Sequence, residues 1–125
     1  MKRNPVLIVA SLLSLLFMIV HLTQDTIGQA EGKMTYPVPV VILAVWLYAT
    51  VRASDRIWGH LVILLGGLFS VGMMVVHAKG IVVSPSGGFF FVWTLFALST
   101  TGWLTILLAA RSLGMAVRVR RAAPQ

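Results

Sequence analysis

The chain contains no cysteine. Disulfides, thiolate metal sites and thiol chemistry are therefore excluded, and the compartment cannot be inferred from redox state. Acidic residues are nearly as scarce, with three in 125 residues, and charged residues of all kinds make up only 10%. A soluble domain carries about 25% charge. With 58% hydrophobic residues and a mean hydropathy of +0.94, this chain has too little polar surface to face water, so the bilayer is its expected solvent. No Asp, Glu, Lys or Arg lies at mid-depth in any apolar segment. Intramembrane ionisable residues mark proton and ion pathways, so this lack counts against a pump or antiporter. The few polar residues also supply no nucleophile–base pair, and no enzyme is expected.

What is present is four apolar segments, at about 5–28, 36–51, 57–77 and 88–110, followed by a basic tail, 111–125. A spanning helix needs ~20 residues. The segments are too long for strands, and backbone facing lipid must satisfy itself internally. The second segment is short, with Pro37 and Pro39 in its first turn, where proline is tolerated. The expected fold is all-α: a single domain, 1–125, of four transmembrane helices in an up-down bundle. The start, "MKRNPVLIVASLLSLL", resembles a signal peptide, and Gly28-Gln29-Ala30 resembles a cleavage site. The polar stretch 21–27 is long for such a leader, so a retained helix is expected.

The net charge of +7 does not point to nucleic acid, because the basic residues sit in short flanks between apolar runs. Lys2, Arg3, Arg52, Arg56, Arg111, Arg118, Arg120 and Arg121 fall on one side of the bundle. Only Lys33 and Lys79 fall on the other. Positive residues favour the cytoplasm, so both termini are expected there. The basic tail is expected to rest on anionic headgroups. The turn "RASDR" is short and offers no motif, whereas the outer connections are longer and glycine-rich and are candidates to cap a site.

The stretch "FMIVHLTQD", 17–25, places two ionisable groups at the end of the first apolar run. His21 and Asp25 are i and i+4, so they share a helical face. At ~1.5 Å per residue from Pro5 and Ile57, Asp25 and His77 both lie ~30 Å up, near the outer boundary. The first and third helices run in the same direction, so His21, Asp25 and His77 are expected at one level across the bundle. Met18 precedes His21 by three residues; Met74 and Met73 precede His77 by three and four. Imidazole with thioether suits copper, and two imidazoles can ligate haem iron, so haem b or copper is the cofactor expectation. The competing readings are a polar boundary where lipid ends and a hydrogen-bonded His–Asp pair with ordinary methionine core. His60, near the other end of the third helix, is expected at the interface.

On the fourth segment, Ala97, Thr101, Thr105 and Ala109 recur every four residues, a small-residue stripe suited to close helix packing. Gly66 and Ser70 form a similar pair on the third. The alternative is a narrow polar path lined by Ser70, Ser99, Thr101 and Thr105. "GGFFFVW", 87–93, opens the fourth segment; its three phenylalanines point in different directions on a helix, so at least one should face lipid or a neighbour. Trp93 and Tyr36 fit one interfacial aromatic belt, and Trp58 and Tyr48 the other.

"HLTQD" near the end of the first helix, "VVH" in the third and "GGFFFVWTL" in the fourth resemble a group of small uncharacterised bacterial four-helix membrane proteins. That resemblance implies a fold and a plasma-membrane location and carries no chemistry. The functional expectation is a small non-catalytic integral membrane protein, an accessory or assembly subunit or a self-associating bundle. Its partners would be the lipid bilayer and a larger membrane complex or further copies of itself. A redox or metal protein using the His21–His77 pair is the alternative, and a narrow channel or carrier the second.

Overall fold

Asn4 starts the first helix. Its side-chain Oδ1 accepts the Val6 N–H at 3.1 Å and the Leu7 N–H at 3.3 Å, capping donors that have no partner within the helix. Pro5 follows at the first helical position, where a missing N–H costs nothing. The computed structural model describes residues 3–28, 37–83 and 88–122, and all four elements in them are helical: α1 (Pro5–Gly28), α2 (Pro37–Arg52), α3 (Ile57–Val83) and α4 (Gly88–Ala122). Three are long and apolar enough to cross a membrane, while α2, at 16 residues, is shorter. Lys33, Tyr36 and Ser86, and the connections that hold them, lie outside the described residues.

Two helices outrun their expected ends. α3 continues past His77 to Val83, and α4 continues past Ala110 to Ala122, for 35 residues. Arg111 ends the apolar run, and the end of an apolar run does not by itself stop a helix. Arg, Leu, Met and Ala are all good helix formers, so the segment expected as a tail stays helical through 122.

The helices alternate in direction. α4 packs along α3 and α1, α2 packs on α1 and α3, and α1 meets α3 across the diagonal. Among the described residues the backbones of α2 and α4 make no close approach. The buried residues of α1 are Leu7, Ser11, Ser14, Met18 and His21, with Ala10 and Leu15 beside them. Their 4-3-4-3 spacing is a heptad seam, the pattern of helices packed nearly antiparallel. α4 presents Leu95, Leu98, Gly102, Thr105, Ala109, Ser112 and Ala116 with the same alternation, all buried.

The four-residue stripe on α4 therefore divides. Four residues turn a helix ~400°, so each step drifts ~40° from the last. Thr105 and Ala109 fall in the seam and are buried, while Ala97 and Thr101 lie half-buried on its flank. The closest approach of α3 and α4 uses glycines instead. A β-carbon on Gly102 would stand 2.8 Å from the Ser70 Cβ and 3.0 Å from the Gly67 carbonyl oxygen. Gly66 and Ser70 face different neighbours: Ser70 lies against Gly102, and a β-carbon on Gly66 would run into the Trp46 indole of α2.

His60 departs from the sequence reading, and Trp46 and the α2–α3 turn add to it. Trp46, which the sequence reading leaves unassigned, is buried in the core. His60 is buried as well, and its Nδ1–H donates to the Arg56 carbonyl at 2.8 Å. The "RASDR" turn is not featureless, since it buries both Ala53 and Ser54. Trp58, Tyr48 and Trp93 are exposed, as interfacial aromatics should be, with Tyr48 and Trp58 stacked at 6.2 Å.

Candidate functional site

The polar residues that bridge the helices are bonded differently in the middle of the bundle and at the end where α1 and α3 finish, and buried oxygens of Gln24, Ser54 and Asp55 are also without a hydrogen bond. In the middle, every bridging hydroxyl is matched. The Thr50 Oγ1–H donates to the Trp46 carbonyl at 2.9 Å. Thr50 Oγ1 then accepts the Ser11 hydroxyl at 2.8 Å, and Ser11 Oγ accepts the Trp46 indole N–H at 2.9 Å. Each hydroxyl proton has one destination, and the network ties α1 to α2. A second link ties α1 to α4: the Thr105 hydroxyl donates to the Thr101 carbonyl at 2.8 Å and accepts Ser14 at 3.1 Å. Ser70 donates to the Gly66 carbonyl and Thr101 to the Ala97 carbonyl. Such bonds spend the hydroxyl proton on the residue's own helix.

At the end of the bundle where α1 and α3 finish and α4 begins, the bonding is unmatched. His21 and His77 meet edge-to-face, with ring centroids 4.8 Å apart. Asp25 Oδ2 lies 3.5 Å from His21 Nε2 and 3.4 Å from His77 Nε2. The rise of two co-directional helices from a shared baseline is what brings these residues to one level. His21 is wholly buried, and neither of its ring nitrogens makes a hydrogen bond. Asp25 and His77 keep 16% and 24% of their side chains exposed, so the cluster reaches the surface on this side only through them. The His77 Nδ1–H donates to the Met73 carbonyl at 2.9 Å. A carbonyl only accepts, so this bond fixes the proton on Nδ1 and turns Nε2 toward Asp25.

Phe91 completes the site. Its ring lies 5.3 Å from His21 and 5.6 Å from His77, while Phe89 and Phe90 are exposed. Sequence reasoning expects the three phenylalanines to diverge but does not single out Phe91. The signal was available: Phe91 is the residue four before Leu95, the first position of the α4 seam. Ser11 and Ser14 were equally legible, since they lie on the heptad line that leads to His21.

The methionines take other roles. Met18 is fully buried in the hydrophobic core, and Met73 packs against that core. Met73 serves His77 through its carbonyl, and Met74 is half-buried. Haem b does not fit the arrangement. Two imidazoles on one haem iron, at ~2 Å bonds, hold their ring centres roughly 6 Å apart with the porphyrin between them. Here the centres are 4.8 Å apart and set edge-to-face.

Comparison with protein-family models, with curated proteins and with solved structures finds no match to this chain.

Proposed function

We propose that this is a small, non-catalytic four-pass protein of a bacterial plasma membrane, with both termini cytoplasmic, that holds a ligand in the His21–Asp25–His77 site at one end of its bundle. One observation carries the reading. Two imidazoles and a carboxylate converge at that end, His21 wholly buried with neither ring nitrogen hydrogen-bonded, beside a middle whose interhelical hydroxyls are all bonded. A solute path needs free donors and acceptors along its length. The hydroxyls of Ser70, Thr101 and Thr105 donate to their own helix carbonyls, which favours a binding site over a channel. The accessory or self-associating role fits a chain with so little mass outside the membrane.

Reconstitution tests this. Proteoliposomes carrying entrapped proton-sensitive and zinc-sensitive dyes should show no more flux under a pH or zinc gradient than empty vesicles. Flux above that background would replace the binding role with a transport one.

A further inference from the structure

We propose that His21, Asp25 and His77 bind one divalent first-row transition-metal ion, through His21 Nε2, His77 Nε2 and a carboxylate oxygen of Asp25, with at least one coordination position left open. This rests on the binding role proposed above and names its ligand class.

Proton bookkeeping leads to the ion. The His77 proton sits on Nδ1, held by the Met73 carbonyl. In the neutral imidazole Nε2 then carries a lone pair, and it faces Asp25 Oδ2, which carries lone pairs of its own. His21 Nε2 approaches the same oxygen. His77 Nε2 and Asp25 Oδ2 thus present lone pairs to one point that His21 Nε2 also faces, an arrangement that a cation between them would satisfy. A shared proton would draw a charged N–H···O pair to ~2.7–2.9 Å. The observed separations are 3.5 and 3.4 Å. Bonds of ~2.0–2.2 Å to a tetrahedral ion place neighbouring donors ~3.3–3.6 Å apart. One donor atom from each of the three residues lies within 4.8 Å of the others, so the two imidazoles must close by about an ångström to complete the triangle.

The surroundings agree. A metal-bound histidine typically donates its other N–H to a carbonyl or carboxylate, which fixes tautomer and ring orientation; His77 does this with Met73. His21 is wholly buried with neither nitrogen hydrogen-bonded, and an ion in the site would give its Nε2 a bonded partner. Two imidazoles with one carboxylate suit Zn²⁺, Co²⁺, Fe²⁺ or Cu²⁺. They do not suit Mg²⁺ or Ca²⁺, which take oxygen ligands, or Cu⁺, which prefers sulfur. The partial exposure of Asp25 and His77 gives the ion a way in and its open position access to water.

The test uses full-length protein purified without a histidine tag and stripped with a chelator. Co²⁺ should add visible d–d bands of tetrahedral intensity that saturate at one equivalent, and Zn²⁺ should abolish them. His21→Leu, His77→Ala and Asp25→Asn should each weaken Zn²⁺ binding by at least the ~10–100-fold that loss of an outer partner alone costs. His60→Gln should leave it unchanged. Circular dichroism on each variant confirms that the helices persist. Absence of the cobalt bands in wild type overturns the metal assignment, as does a Zn²⁺ affinity unchanged from wild type in the His21 or the His77 variant. Neither result touches the binding role, which fails only if the proteoliposomes conduct.

Discussion

At the residue scale, His21 and Ser11 make opposite predictions although both are buried polar groups on one face of α1. Ser11 accepts from Trp46 and donates to Thr50, so Ser11→Ala strands an indole N–H in the apolar interior. A buried donor left unpaired costs about 1–3 kcal/mol. Thermal or denaturant unfolding in detergent should show a loss of that size, while Thr100→Ala, on an exposed position bonded to its own helix, should be nearly silent. If Ser11→Ala is silent too, the network does not hold α1 to α2. His21 has no hydrogen bond to lose. Replacing it by Leu removes an unsatisfied polar group at similar volume, and that exchange is often neutral or stabilising. His21→Leu should therefore match or exceed the stability of metal-free wild type, by up to ~1–3 kcal/mol, while failing to gain any when Zn²⁺ is added. A loss of stability in the metal-free protein would mean that His21 already has a structural partner.

At the element scale, the α3–α4 contact rests on a close approach of backbones. Gly67 and Gly102 each leave so little room that a β-carbon would stand about 3 Å from the opposite helix's backbone oxygen. Gly102→Leu should push the helices apart and cost at least the ~1–3 kcal/mol typical of overpacking. Thr101→Leu, at a half-buried position beside the seam, should cost clearly less in the same unfolding assay. Equal losses would mean that the α4 contact face is centred elsewhere. The same helix shows what the sequence makes legible. The apolar runs announce the helices, and rise per residue alone puts Asp25 and His77 at one depth. A repeat of four was the wrong period, because it drifts around the helix, whereas alternating steps of four and three stay on one face. Read with that period, α1 names Ser11, Ser14, Met18, His21 and Asp25 as neighbours, and α4 names Phe91 and Gly102. The bonding state of His21 was not legible, since it depends on which neighbours three other helices bring or withhold.

At the scale of the whole molecule, charge and polarity divide the bundle between its two ends. One end carries Arg3, Arg52, Arg56, Arg111, Arg118, Arg120 and Arg121 among the described residues; the other carries the His–Asp cluster. α4, at 35 residues, is ~52 Å long, against a hydrocarbon core of ~30 Å. Its arginine-bearing last turns are therefore expected to extend beyond the lipid on the basic side. Positive residues are retained in the cytoplasm, so the cluster should open to the opposite face and meet its ion there. The absence of cysteine makes the test clean. Single cysteines introduced at Lys33, Ser86, Arg56 and Ala123 should divide under a membrane-impermeant thiol reagent added to intact cells. Lys33→Cys and Ser86→Cys should label, and Arg56→Cys and Ala123→Cys should label only after the membrane is opened. Arg56 is the better probe of the α2–α3 turn because Ser54 is buried. Labelling of Arg56→Cys and Ala123→Cys in intact cells would invert the orientation, and the metal site would then draw on the cytoplasmic pool.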